Sequence, residues 1–166
     1  LRLSVFFLPL TFNSLKICNE KNIFNKLKNI INTKIPILGI CLGFQIFSKK
    51  LFEGGESNGL DLINANVVPI DNPPIFNIGW STVNLPKALA LDIGIKEKTN
   101  FYFCHSYFLD NISEDDKKYV LGYTTYKKKI PSLMIKNNFM GVQFHPEKSQ
   151  ANGIKFLKFF LKWEPK

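Results

Sequence analysis

Arginine, histidine and cysteine are scarce in this 166-residue sequence. Arg2 is the only arginine among its 22 Lys and Arg residues, although the formal net charge is +9. Recognition of phosphates and bases relies heavily on arginine, and the lysines here are scattered along the chain instead of forming one patch. The positive charge therefore predicts a solvated basic surface and no nucleic-acid site. A basic RNA-binding module stays as the remaining alternative.

Only three cysteines are present, Cys18, Cys41 and Cys104, and their spacing is not that of a structural pair. An odd number of cysteines in a chain of this size argues against a disulfide framework and indicates a reducing compartment, so we expect a cytoplasmic protein. The sequence has neither a C-x-x-C motif nor a Cys/His cluster with the spacing of metal ligands. It therefore predicts no metal and no other cofactor.

Long apolar runs are also missing. The N-terminal run Leu3–Leu8 is interrupted by Pro9, and no small-residue cleavage site of a signal peptide follows. It is far shorter than the roughly 20 residues of a membrane-spanning helix, so we expect no membrane segment. The chain begins with Leu1 and not Met, which predicts that upstream residues are missing. Its 45% hydrophobic residues suffice for one core, and we expect a single domain over residues 1–166.

The first third of the chain alternates between two hydrophobic patterns. Apolar runs at Leu3–Leu8 and Ile35–Ile40 predict strands that are covered on both faces. Apolar residues at helical spacing predict helices over residues 20–32 and over Leu42–Lys50, the latter with Ile46 and Phe47 facing inward. Strands that alternate with helices predict an α/β fold with a mostly parallel sheet flanked by helices.

Turn residues separate shorter strands in the rest of the chain. We predict strands at Ala65–Ile70, Trp80–Asn84, Asn100–Cys104 and Tyr119–Tyr126, and a pair formed by Leu133–Ile135 and Met140–Phe144. The last element is a Lys-rich amphipathic helix, Gly153–Trp163, which could bind a membrane or a partner. The more ordinary prediction is that the helix packs on the sheet through one side. That side is predicted to hold Ile154, Leu157, Phe160 and Leu161.

The segment Gly39–Gly43 follows an apolar strand and precedes a helical pattern, with Cys41 at its centre. This G-x-C-x-G pattern is typical of a nucleophile elbow, in which a sharp turn strains the nucleophile's backbone and leaves no room for flanking side chains. The helix N-terminus is expected to lower the pKa of the thiol, and the backbone N–H of Leu42 is placed to hold an oxyanion. The alternative is a buried structural cysteine.

A thiol nucleophile needs a general base, and the chain contains only two histidines. His145 follows the strand ending in Phe144, and two residues later Glu147 can reach back to orient its ring. His105 lies at the end of another strand, without a carboxylate at that spacing. The spacing favours His145 as the base, although either histidine could be structural.

Two motifs together, Gly39–Gln45 and Val142–Ser149, resemble those of the class I glutamine amidotransferases, which use a Cys-His-Glu triad. Further segments, Gly59–Ile63, Ile78–Trp80 and Phe101–Tyr107, resemble the glutaminase subunits of imidazole glycerol phosphate synthase. The similarity runs from about Leu8 to the C-terminal helix. A related group of proteins supplies ammonia for amino-sugar formation in surface glycans, and the motifs leave that alternative open.

The resemblance implies a flavodoxin-like class I glutaminase fold and the hydrolysis of L-glutamine to glutamate and ammonia. It implies Cys41 as nucleophile, His145 as general acid and base, and Glu147 as the orienting carboxylate. The residues that it implies for holding the substrate are Leu42, Gln45, Glu53, His105, Ser106 and Tyr107. Lys148 matches a position at the synthase interface. The implied partner is a (β/α)₈ barrel cyclase subunit, which forms a heterodimer with the glutaminase and receives its ammonia.

Two departures from the family pattern bear on activity. Compared with the family pattern, the sequence begins after the strands that open the fold, so we expect exposed strand edges and a smaller core for these residues alone. The segment Leu8–Asn13 also lacks the glycines of the family's oxyanion strand. Losing one oxyanion donor costs roughly 10²–10³ in rate, so the sequence predicts weak or absent activity for the chain as it stands. The alternatives are a truncated subunit that binds its synthase without catalysis, a cysteine peptidase and a γ-glutamyl hydrolase.

Overall fold

The computed structural model of the chain describes residues 4–6, 29, 30, 33–71 and 73–165. The strands are β1 (Ser4–Phe6), β2 (Ile37–Ile40), β3 (Ser48–Leu51), β4 (Ser57–Asn58), β5 (Ile63–Pro69), β6 (Asn77–Asn84), β7 (Lys98–His105), β8 (Tyr107–Asp110), β9 (Val120–Tyr126), β10 (Lys128–Lys136) and β11 (Phe139–Val142). The helices are α1 (Leu42–Gln45), α2 (Lys87–Ile93), α3 (Glu114–Lys117) and α4 (Gln150–Lys162), and a 3₁₀ turn at Pro146–Lys148 precedes α4.

The larger sheet has seven strands in the order β1-β2-β11-β10-β9-β6-β7. Strand β2 pairs in parallel with both β1 and β11. The other four pairings are antiparallel, including the predicted pairing of Leu133–Ile135 with the segment that begins at Met140. The α/β class is confirmed, but a mostly parallel sheet is wrong for the described residues. The reason is that β9, β10 and β11 are joined by tight turns at Lys127 and Asn137, which permit only antiparallel neighbours.

Strand β2 is buried on both faces, as its continuous apolar sequence predicts. Leu38 and Ile40 belong to a hydrophobic cluster that includes residues of α2 and α4. Ile37 belongs to a second cluster, with residues of the smaller sheet, whose strand order is β4-β3-β5-β8. Strand β2, which ends next to Cys41, is therefore packed against the core on both faces.

The helix after Cys41 is shorter than predicted. Helix α1 ends at Gln45, and Ser48–Leu51 forms strand β3, which pairs in parallel with β5. Ile46 and Phe47 are buried as expected, at 2% exposure each, but they lie in the turn between helix and strand. The periodicity of the segment fits a helix, and the pairing with β5, which lies further along the chain, decides in favour of a strand.

Helix α4 packs on the core as predicted, with Phe160 buried and Leu157 half-buried, but its buried side is rotated relative to the predicted one. Its buried residues are Gly153, Phe156 and Phe160, whereas Ile154 and Leu161 are exposed. A Cβ on Gly153 would lie 1.8 Å from the carbonyl oxygen of Pro146, so the helix approaches the 3₁₀ turn along its glycine. That close contact sets the rotation of the helix about its axis and turns Ile154 outward.

Two predictions concern the N-terminal region. Of the helix predicted over residues 20–32, the structure describes Asn29 and Ile30, which are helical. The segment Leu8–Asn13 lies outside the described residues, and so does Cys18. Within the described part of the chain, no helix combines the length and the apolar character needed to cross a membrane.

Candidate active site

The backbone turns sharply at Cys41, between the end of β2 and the start of α1. Its angles are φ 52° and ψ −109°, which are strained for a residue with a side chain. A Cβ on Gly39 would stand 2.5 Å from the Gly43 carbonyl oxygen, so this position needs glycine. The backbone N–H of Cys41 donates to the carbonyl oxygen of Val142 over 2.7 Å. The strand–turn–helix geometry expected for this segment is present.

Two polar groups lie against the Cys41 sulfur. Nε2 of Gln143 donates to Sγ over 3.6 Å, and Sγ lies 3.8 Å from the carbonyl oxygen of Cys104. Among the described residues, no hydrogen bond joins Sγ to the ring of His145. Gln143, the residue that directly follows β11, thus holds the thiol by a hydrogen bond.

Burial raises the pKa of the Cys41 thiol to about 12. The backbone N–H of Leu42 lowers this pKa, as expected for a donor at the start of a helix, while the nearby Cys104, Glu53 and Glu147 raise it further. The expectation of a depressed thiol pKa is therefore wrong. One turn of helix supplies too little positive potential to offset the burial of the sulfur and two neighbouring carboxylates.

His145 lies three residues beyond the end of β11, the strand that runs parallel to β2. Parallel neighbours end at the same edge of a sheet, so Cys41 and the His145 turn are brought to the same edge. Nδ1 of His145 lies 2.7 Å from Oε1 of Glu147. With its proton on Nδ1 shared with the carboxylate, the imidazole presents Nε2 for proton exchange.

The hydrogen bond between His145 and Glu147 affects the pKa of the carboxyl group. Burial acts to raise the pKa of Glu147, but the hydrogen bond from His145 and the charges of His145 and Lys148 outweigh it and leave that pKa below its usual value. Glu147 is therefore a carboxylate at neutral pH. An ionised acceptor on Nδ1 stabilises the imidazolium that forms when His145 takes up a proton.

Ser149 anchors the His145 turn to β7. Its hydroxyl donates to the carbonyl oxygen of His145 over 2.6 Å and accepts from the backbone N–H of Tyr102 over 2.9 Å. The backbone N–H of His145 donates to the carbonyl oxygen of Tyr102 over 2.8 Å. These three bonds attach the end of β11 to a strand at the far edge of the same sheet.

His105 is buried, and its ring has different hydrogen-bond partners from that of His145. Its Nδ1 lies 2.9 Å from the carbonyl oxygen of Tyr107, and its Nε2 lies 3.3 Å from Nδ2 of Asn77. Ser81 donates to Oδ1 of Asn77, so the amide group of Asn77 presents Nδ2 to the ring. Burial lowers the pKa of His105 to about 4, and the electrostatic interaction with nearby His145 acts in the same direction, against the hydrogen bond to the Tyr107 carbonyl. The ring is therefore neutral, with its proton on Nδ1.

A cavity of about 200 Å³ opens beside the thiol. All six residues expected to hold substrate line it, and so does Cys41. The other lining residues come from β6, from β7 and from the loop before β6. The full set is Cys41, Leu42, Gln45, Glu53, Phe76, Ile78, Cys104, His105, Ser106 and Tyr107. Burial raises the pKa of Glu53, the acidic residue of the lining.

The family match covers most of the chain: residues 16–163 match the class-I glutamine amidotransferases. The chain belongs to this family. It is 41% identical over 155 residues to the imidazole glycerol phosphate synthase subunit HisH of Lactococcus lactis, covering 92% of this chain and 73% of the relative. The HisH subunit of Caldanaerobacter subterraneus is 37% identical over 149 residues, covering 89% of this chain and 72% of the relative.

The fold is also that of solved amidotransferases. A glutamine amidotransferase from Thermotoga maritima superposes with a TM-score of 0.59 at 18% identity. The match covers 96% of this chain and 62% of that one, so this chain spans less than two thirds of that structure's length. At this level of identity the likeness concerns the fold alone, and it agrees with the expected class I glutaminase architecture.

Three residues of this amidotransferase site were not expected from the sequence, namely Gln143, Ser149 and Asn77. Gln143 and Ser149 lie within the motif Val142–Ser149 but carried no assigned role. A signal for Gln143 is present, since it is the polar residue within the predicted strand Met140–Phe144, and the structure buries it fully. Asn77 gives no comparable signal, because it follows a turn where asparagine is common.

The described residues contain no group of three His, Cys, Asp or Glu side chains arranged to hold a metal ion. The polar groups of the site are instead a thiol, an imidazole–carboxylate pair and carboxamides. Such groups suit nucleophilic and acid–base chemistry.

Proposed function

We propose that this chain is the single-domain glutaminase subunit of an imidazole glycerol phosphate synthase in histidine biosynthesis. It hydrolyses L-glutamine and passes the ammonia to a cyclase partner. One observation carries the proposal: a strained Cys41 and a carboxylate-paired His145 follow neighbouring parallel strands, beside a cavity lined by polar groups. The HisH relatives favour this acceptor over amino-sugar formation.

In the first half of the reaction, Sγ of Cys41 attacks the side-chain amide carbon of glutamine. The thiol proton moves to Nε2 of His145, which then gives it to the departing nitrogen, so ammonia leaves and a glutamyl thioester remains. In the second half, His145 removes a proton from water as it attacks the thioester, and the proton returns to Sγ. Glutamine and water are thereby converted to glutamate and ammonia, with the enzyme unchanged.

The raised thiol pKa makes the proton acceptor essential to this mechanism. A thiol with a pKa of about 12 is almost fully protonated at neutral pH, so the free thiolate is too scarce to serve as the resting nucleophile. Attack must therefore be coupled to proton transfer to His145, and the Glu147 carboxylate favours that transfer. The backbone N–H of Leu42 is the proposed donor to the developing oxyanion.

The cavity supports the proposed roles in substrate binding. Gln45, Glu53 and the His105–Tyr107 loop all line it, and we assign them to the amide and amino-acid ends of glutamine. Glu53 is suited to the α-ammonium group, because a bound cation stabilises the charged form of a carboxyl group whose pKa burial has raised.

An exposed apolar surface beside the cavity suits the cyclase partner. It is formed by Ile75, Phe76, Ile78 and Trp80, which are 46–58% exposed. Large exposed aromatic and aliphatic groups in one patch mark protein interfaces. Tyr102 packs edge-on against Trp80, and Nζ of Lys148 lies 5.9 Å from the Tyr102 ring. We propose that a (β/α)₈ barrel cyclase docks on this surface in the cytoplasm, with Lys148 at the contact.

The test is glutamate formation from L-glutamine, measured with and without a cyclase subunit and its phosphorylated ribonucleotide. We expect a rise on the order of 10–100-fold on adding the loaded partner. Trp80→Ala should reduce the rise, and Leu91→Ala is the matched control, because Leu91 is exposed on α2 outside this surface. A rate that does not respond to the partner would contradict the synthase assignment.

A further inference from the structure

Gln143 lies within the motif Val142–Ser149, but the resemblance to the family gives it no role. It is fully buried, directly after β11, and its backbone N–H is fixed by the carbonyl oxygen of Ser132 over 3.1 Å. A carboxamide in such a place is unfavourable unless its polar atoms are bonded. Its two side-chain contacts are Sγ of Cys41 and Nε2 of Gln45, which donates to Oε1 of Gln143 over 3.1 Å.

Gln45 is fixed in turn by a second acceptor. Its Nε2 also donates to the carbonyl oxygen of Tyr107 over 2.8 Å, and the same oxygen accepts from Nδ1 of His105. The hydrogen-bonded chain thus runs from Asn77 through His105, the Tyr107 carbonyl, Gln45 and Gln143 to the sulfur. Apart from the Tyr107 backbone and Cys41, its members are at most 7% exposed.

The surroundings of the sulfur explain why such a donor matters. Burial, Glu53 and Glu147 all disfavour negative charge on Sγ, and the Leu42 amide is the backbone group that favours it. Nε2 of Gln143 is a further N–H donor aimed at the sulfur. A hydrogen bond from a neutral donor strengthens when its acceptor becomes an anion, so this contact gains strength as the thiol loses its proton.

We propose that Gln143 is a further residue of the glutaminase reaction, which holds the reacting sulfur with its N–H and fixes Gln45 through its Oε1. Gln143 thereby joins two residues that line the cavity, Cys41 and Gln45. This inference rests on the proposed function, and it adds to it a side-chain donor that acts on the nucleophile itself.

The first experiment measures the rate at which iodoacetamide alkylates Cys41 at pH 9, followed by mass spectrometry of the Cys41 peptide. Gln143→Met removes the donor at nearly constant volume, and we expect alkylation to slow by about tenfold. Thr124→Val is the matched control, because Thr124 is buried in the same sheet and the variant removes a hydrogen bond, from Thr124 Oγ1 to the Thr82 carbonyl, that does not involve the thiol. It should alkylate at the wild-type rate.

The coupling to Gln45 is tested by a double-mutant cycle with the same readout. Gln45→Met should slow alkylation less than Gln143→Met does, and the double variant should be no slower than Gln143→Met alone, since Gln45 acts on the sulfur only through Gln143. Additive effects would show that Gln45 does not hold Gln143 in place. Should Gln143→Met fail to fold, Gln143→Asn keeps a buried carboxamide that is too short to reach Sγ and should show the same loss.

Alkylation requires no glutamine, so the inference and the proposed function can fail separately. If the chain lacks glutaminase activity but its Cys41 reactivity depends on Gln143, the proposed function is contradicted. The hydrogen bond from Gln143 to the sulfur is then still supported. An active chain in which Gln143→Met alkylates within about twofold of wild type, or in which Thr124→Val slows equally, would overturn the role of Gln143.

Discussion

The two histidines lie in regions of opposite character. His145 follows the parallel strand β11, is half-buried, and has an ionised carboxylate on Nδ1. His105 ends the antiparallel strand β7, is buried, and has neutral partners on both nitrogens. The first ring is arranged to gain and lose a proton, whereas the second is kept neutral by its surroundings.

The comparison extends to the strands that carry them. The parallel group β1-β2-β11 places Cys41 and the His145 turn at one edge, whereas the antiparallel strands β6 and β7 contribute the cavity wall and the exposed apolar surface. The groups proposed for chemistry thus lie where parallel strands end, and the surfaces proposed for recognition lie on antiparallel strands. Predictions that separate the two regions test this division.

The largest effect is expected at Cys41. Cys41→Ala removes the nucleophile and should lower glutamate formation by at least about 10⁴-fold with the fold intact, as circular dichroism would show. Cys104→Ser should change the rate by less than about threefold, because the Cys104 contact with the nucleophile uses its backbone carbonyl. Activity that survives Cys41→Ala would place the nucleophile elsewhere.

The two histidines should then differ in their kinetic effects. His145→Gln removes the proton carrier, and kcat should fall by about 10³-fold with little change in KM. His105→Gln disturbs the Tyr107 carbonyl and Gln45, so it should raise KM and lower kcat by roughly tenfold or less. Equal losses of kcat in the two variants would remove the distinction between the regions.

The neutral state of His105 also predicts a dependence of stability on pH. Because burial lowers its folded-state pKa to about 4, the unfolded chain binds more protons between pH 4 and the ordinary value of 6.5. The free energy of unfolding should therefore fall as the pH is lowered through that window, by about 2 kcal/mol between pH 7 and pH 5. Urea unfolding at the two pH values should show this loss in wild type and a smaller one in His105→Gln.

The smallest effect is expected where the two regions are joined. Ser149→Ala removes the bridge between the Tyr102 N–H and the His145 carbonyl and leaves a buried donor unpaired. We expect a loss of about 1–2 kcal/mol in the free energy of unfolding by urea, with kcat lowered by less than about tenfold. A drop in kcat as large as that of His145→Gln would mean that the bridge acts in the chemistry.

The sequence predictions that the structure confirms rest on local patterns. The turn at Cys41 follows from Gly39, where a side chain does not fit, and the β10–β11 hairpin follows from apolar runs around Asn137. The failures depend on contacts distant in sequence. Pairing with β5 turned Ser48–Leu51 into a strand, the Pro146 carbonyl set the rotation of α4, and burial raised the thiol pKa. None of these contacts is visible in a local pattern.

Labelling by a diazoketone analogue of glutamine tests the central claim most directly, since this reagent must occupy the substrate cavity before it alkylates a nucleophile. With the cyclase partner present, the account predicts a single adduct on the Cys41 peptide that excess L-glutamine prevents. An adduct on Cys104 in place of Cys41, or labelling of Cys41 that glutamine leaves unchanged, would contradict it.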